Sequence, residues 1–149
     1  MSLAHHSLVA WQRADDLFIE LHQLSLKQFP AFERFELGGQ LRRAGYSVPA
    51  NIVEGSAKPQ GRARLNFYNI AQSSLAEVGY CIHVAQRLGY ISEIVASELE
   101  TRIKQVGAPL AGLIRSERFH IGMNVVGVVV GVVFLTSRPT RPTRPTRPT

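Results

Sequence analysis

Between positions 62 and 88, apolar or small residues return every three or four positions: Phe67, Ile70, Ala71, Ser74, Leu75, Val78, Cys81, Ile82, Ala85 and Leu88. That period belongs to an α-helix with one face turned to a core. At 1.5 Å of rise per residue such a helix is about 40 Å long. A rod of that length buries its stripe only against other long rods, so the chain must supply them.

Three further segments answer. Positions 8–28 place Trp11, Ala14, Leu17, Phe18, Leu21 and Leu24 on one helical face, with Arg13, Asp16, Glu20 and Lys27 mostly on the other. Ser7 suits the N-cap and Pro30 closes the segment. Positions 40–55 repeat the pattern with Leu41, Ala44, Val48 and Ile52. Gly38 and Gly39 lower helix propensity by about 1 kcal/mol each. The firm part of the second helix is therefore expected from Phe35 or Gln40 to Glu54, with Gly55 as its C′ stop. Pro49 lies inside it and removes one backbone hydrogen bond. A kink there is preferred over a break at Ser47, because the stripe stays in phase. Positions 92–115, capped by Ser92, carry Val95, Leu99, Ile103, Val106, Leu110 and Leu113, and Gly107 with Pro109 predict a kink or an early end. Short turns such as 89–91 force antiparallel neighbours. The fold class is all-α: an antiparallel up-and-down four-helix bundle over 8–118, behind a flexible N-terminus of 1–7.

The C-terminus differs in kind. Residues 119–136 are apolar and rich in Val and Gly, and 137–149 are Ser followed by four Arg-Pro-Thr units. The low-complexity repeat is expected to be an appended extended tail, as read-through or a frameshift would produce. The run at 121–135 is read as poorly ordered, as strand-forming, or as a weak membrane contact. Its 15 residues fall short of the roughly 17–25 that a spanning helix needs, and Asn124 interrupts them. Composition matters here. The chain of 149 residues carries 17 Lys and Arg and 11 Asp and Glu. Four of those arginines sit in the repeat, so the body is only slightly basic. A case for nucleic acid must rest on local clustering.

Such a cluster exists. Arg42 and Arg43, then Lys58, Arg62 and Arg64, set five cations against Glu54 within 42–64. On one surface they would neutralise phosphates, helped by the free N–H groups at the start of the third helix. The plain alternative pairs Arg42 and Arg43 with acids on a neighbouring helix or subunit and leaves the rest solvated. Asn51 and Glu54, one turn apart, either bond across a subunit contact or satisfy backbone groups freed by Pro49. Tyr46, Tyr68, Tyr80 and Tyr90 serve to stack bases or to pack between subunits.

Signals for catalysis and cofactors are weak. Cys81, the one cysteine, falls on the core stripe, which excludes a disulfide scaffold and points to a buried small hydrophobe. A bundle metal centre takes Glu-x-x-His on a pair of facing helices; the chain has one such spacing, at 117–120, and no pair, so a metal centre is not expected and no cofactor is implied. Asp15, Asp16 and Glu20 read as a solvated acidic face. His22 and His83 are lone, and His5 and His6 lie in a loose terminus. Neither a phosphate-cradling loop nor a nucleophile elbow is present. With no secretory signal pattern, the expected location is cytoplasmic.

Taken in order, Leu8, Trp11 and Gln12, then Phe29-Pro30, Glu33-Arg34-Phe35, Gln40-Leu41-Arg42-Arg43-Ala44, Ser47-Val48-Pro49-Ala50-Asn51-Ile52 and Glu54-Gly55, resemble a known family. It comprises the four-helix bundle proteins encoded in intervening sequences of bacterial 23S rRNA genes. The accessory variability determinant of diversity-generating retroelements is similar to them. The resemblance spans about 8–118. It implies a ring-shaped homopentamer without catalytic activity, and from the retroelement relatives it implies binding of RNA or DNA and a reverse-transcriptase partner. Gly38-Gly39, Pro109 and everything after Phe119 depart from the family pattern.

Overall fold

The computed structural model describes the backbone of residues 3–136 and the side chains of residues 3–125. The Arg-Pro-Thr repeat lies outside the described residues. Four helices run α1 Val9–Gln28, α2 Leu37–Ser56, α3 Arg62–Arg87 and α4 Glu93–Thr136, with 3-10 turns at Ala4–Ser7 and Ala31–Glu33. They pack in a cycle: α1 on α2, α2 on α3, α3 on α4, and α4 back on α1. This is the up-and-down bundle that the short connections require. Leu21, Leu41, Ile52, Ile82, Leu99 and Leu110 are fully buried at its centre. Each contributes about 1.5–3 kcal/mol by leaving water.

The core stripe of α3 follows the expected one through its middle and differs at its ends. Tyr68, Ala71, Leu75, Val78, Cys81, Ile82 and Ala85 are buried, whereas Ile70 and Leu88 are exposed. The buried set returns every three or four positions, with Cys81 beside Ile82, which keeps one face against the neighbours. Gly89 ends the helix in a left-handed conformation, with φ of 78°. The Tyr90 N–H donates to Ala85 O and the Gly89 N–H to Gln86 O, closing a Schellman motif.

Helix α2 begins within the expected bracket and runs past its expected end. It starts at Leu37, ahead of both glycines, because a Glu33 carboxylate oxygen accepts the Leu37 N–H at 3.0 Å. A Cβ on Gly38 would stand 2.8 Å from Glu33 O, so glycine lets the connection press against the helix. Gly55 is not a stop. It lies inside α2, and a Cβ there would sit 2.7 Å from the Tyr68 ring. The helix also continues through Pro49, with no break at Ser47.

Two further corrections concern the ends of the chain. Ser7 does not cap α1; the N-cap is Leu8, and the Ser7 hydroxyl donates to Ala4 O within the first turn. The rings of His5 and His6 lie against Trp11 at 4.7 and 5.2 Å, so this turn is packed. At the other end, α4 does not stop near Arg115 but continues as helix to Thr136, past Gly107 and Pro109. Ile114 and Glu117 still face the bundle and hold it on course. From Arg118 to Val125 no described side chain is buried, and Phe119 is 71% exposed. The strand reading of 121–135 is thereby replaced by helix. Among the described residues no helix is long and apolar enough to cross a membrane.

Candidate nucleic-acid interface

The loop between α2 and α3 is built around one buried acid. Glu117 on α4 is 4% exposed. One of its oxygens accepts the Gly61 N–H at 3.0 Å, and the other pairs with Arg64 Nη1 at 3.4 Å. Arg64 also donates from Nε and Nη2 to Lys58 O. Gly61, with φ of 139°, adopts a backbone that side chains rarely tolerate. The loop is thus fastened to the bundle by Arg64, while Lys58 and Arg62 stay exposed. Lys58 Nζ stands 5.7 Å from the centre of the Phe67 ring, a cation–π contact. Arg62 opens α3, where unpaired N–H groups favour anions.

Arg42 and Arg43 diverge in role. Arg42 Nη1 donates to Ser25 Oγ at 3.0 Å, and Nη2 donates to Arg34 O. Its partners are a hydroxyl and a carbonyl, not the acids expected. It straps the α1–α2 connection to the bundle. Arg43 is exposed. A Cβ on Gly39 would come within 3.2 Å of Arg43 Nη1, so the guanidinium lies along bare backbone. About 20 Å of helix separates Arg43 from the end of α2. The five predicted cations therefore form two groups rather than one surface.

The residues assigned to subunit contact are partly internal. Asn51 Nδ2 donates to Ser47 O at 2.8 Å and to Ser47 Oγ at 3.0 Å, and Ser47 Oγ bonds Ser74 Oγ at 2.8 Å. This chain links α2 to α3. It does not serve the carbonyl freed by Pro49, which belongs to Gly45 four residues back. Pro49 and Gly55 are buried, whereas Glu54 is exposed beside Trp11 and Asp15.

The tyrosines divide likewise. Tyr68 is buried; burial pushes its phenol up, Arg64 draws it down, and Glu117 adds to the rise. Tyr90 donates to a Glu33 carboxylate oxygen at 2.8 Å, and that hydrogen bond, more than burial, raises its phenol. Tyr46 and Tyr80 are exposed. Burial, with Glu77 nearby, raises the Cys81 thiol, which keeps it from acting as a thiolate. Glu20 is paired with Arg102 at 2.6 Å, so it is not simply solvated. Among the described residues no group of three His, Cys, Asp or Glu could hold a metal ion.

Sequence reasoning missed Glu117 and Glu33, the two carboxylates that fasten the loops. A signal existed for the first. Glu117 continues the α4 stripe of Val106, Leu110 and Ile114 in phase, and an acid in a core register needs a partner.

Comparison with known proteins places this geometry. No curated protein matches the chain. Among solved structures, a protein of unknown function from the S23 ribosomal protein family of Bacteroides thetaiotaomicron shares the fold. It has a TM-score of 0.64 and 23% identity over 71% of this chain and 98% of that one. A family model described as 23S rRNA-intervening sequence protein matches residues 6–112, which holds α1, α2, α3 and the packed half of α4. With that match over most of its length and the same bundle beneath it, this chain belongs to the 23S rRNA-intervening sequence protein family.

Proposed function

We propose that the chain is a non-catalytic, self-associating four-helix module that binds nucleic acid, structured RNA foremost. The observation that carries this is the α2–α3 end of the bundle. There Glu117 and Arg64 fix a loop so that Lys58 and Arg62 project into solvent at a helix N-terminus. Arg115 and Arg118, both exposed on α4, flank the same buried acid in sequence. Family membership, in proteins encoded within rRNA genes, makes RNA the natural partner for such a surface. Self-association draws on the exposed Ile19, Ile70 and Tyr80, which a lone bundle leaves in water.

The test is binding of a hairpin RNA at several salt concentrations. The Lys58→Ala/Arg62→Ala double variant should lower the slope of log affinity against log salt by about two. Absence of any complex at low salt would leave a protein-only scaffold. The internal use of Arg42 and Arg64 favours that second reading. Sedimentation of the same samples reports the subunit number, for which a pentamer is proposed.

A further inference from the structure

We infer that a crevice between α1 and α2, centred on Arg43, is a stacking site for the bases of single-stranded RNA. This inference rests on the nucleic-acid reading above but uses a different surface. The crevice, of about 300 Å³, is lined by Phe18, His22, Phe35, Gly39, Arg43 and Tyr46, together with Arg42, whose guanidinium is bonded to Ser25 and Arg34. Three aromatic rings share it. Phe18 and Tyr46 stand edge to face at 5.7 Å, and Tyr46 is 61% exposed. Phe35 is 80% exposed on the α1–α2 connection, with Arg34 5.8 Å from its ring centre.

Rings held open to water at such exposure lose hydrophobic free energy in the isolated bundle, and a flat apolar ligand would recover it. The charge along the crevice selects that ligand. Its lining holds guanidinium and imidazole groups and no carboxylate. The acids Asp15 and Glu54 lie in the adjoining hollow toward Trp11. A flat base on Phe35 or Tyr46 with its phosphate at Arg43 satisfies both features. Stacking tolerates any base, because every base has a π-face. A duplex hides its faces, so the site takes single strands.

The experiment measures binding of labelled oligo(U) and of a duplex RNA of equal length to the full chain. Phe35→Ala and Tyr46→Ala alter exposed rings, and unchanged thermal melting shows that both variants fold. Each is expected to weaken oligo(U) binding roughly fivefold or more, as loss of one stacked base requires, with duplex binding held. Tyr46→Phe keeps the ring and should bind as the parent does. If both alanine variants bind oligo(U) normally while Lys58→Ala/Arg62→Ala weakens binding, the crevice assignment falls and nucleic-acid binding stands. If the alanine variants instead dissociate the oligomer and leave RNA affinity intact, the rings are a contact between copies, and the assignment is overturned. If the parent binds neither RNA, both fall.

Discussion

Gly55 and Gly79 both occupy helix interiors, and their surroundings differ. A Cβ at Gly55 would meet the ring of buried Tyr68 at 2.7 Å, whereas nothing lies within 4 Å of the corresponding point on Gly79. Alanine gains about 1 kcal/mol of helix propensity at either site. At Gly55 that gain is set against overpacking of about 1–3 kcal/mol. Urea denaturation at fixed protein concentration should therefore show Gly79→Ala stabilised by about 1 kcal/mol, and Gly55→Ala destabilised by about the same. Tyr90 supplies a pH signature. Its phenol titrates above its ordinary value because it donates to Glu33. A raised folded-state pKa means the stabilisation is complete below the unfolded value of about 10 and is lost as pH rises through the folded value. The stability gap between the parent and Tyr90→Phe should hold at neutral pH and close in alkali, as denaturation at both pH values would report. Neither side chain is legible at its true role in the sequence. Gly55 looks like a helix stop, and Tyr90 like one of four equivalent tyrosines, because each depends on a residue distant along the chain.

Among the elements, α1 and α3 were the most legible, with expected bounds of 8–28 and 62–88 against Val9–Gln28 and Arg62–Arg87. Long amphipathic stripes with a proline or glycine at the end leave little choice. The failures cluster where local propensity was outweighed by tertiary contact. Gly38 and Gly39 are helical because the preceding connection packs on them, and α4 passes Pro109 because residues beyond it still bury against the bundle. The site was legible only in part. Charge counting found the cations, but not that Arg42 and Arg64 are held inside, since periodicity says nothing of what a long side chain reaches. The α2–α3 loop shows the consequence. Glu117→Ala would leave the Gly61 N–H without its acceptor and Arg64 without its carboxylate, at a cost of about 1–3 kcal/mol. Amide exchange in residues 57–64 should accelerate more than in α1. Uniform acceleration across all four helices would mean that Glu117 supports the bundle as a whole and does not fasten this loop.

For the whole molecule, the distribution of charge decides how binding to RNA should be measured. The net charge of +6 includes four arginines in the repeat at 137–149. A run of basic residues binds any polyanion, so affinity of the full chain does not by itself implicate the bundle. Removing residues 119–149 separates the two contributions. Among the described residues every buried one lies at or before Glu117, and the family match ends at 112, so the shortened chain keeps that packing. Its stability should match that of the full chain within about 0.5 kcal/mol, the usual range for changes away from buried features. Its salt slope should not match. If all four arginines contact phosphate, the full chain carries about three to four more units of slope, at roughly 0.7–0.9 per contact. A shortened chain that still binds, with a slope that falls by about two in Lys58→Ala/Arg62→Ala, would place the interface on the bundle. A shortened chain with no affinity would assign all binding to the tail arginines, and the ordered loop at Glu117 would then be a feature of folding alone.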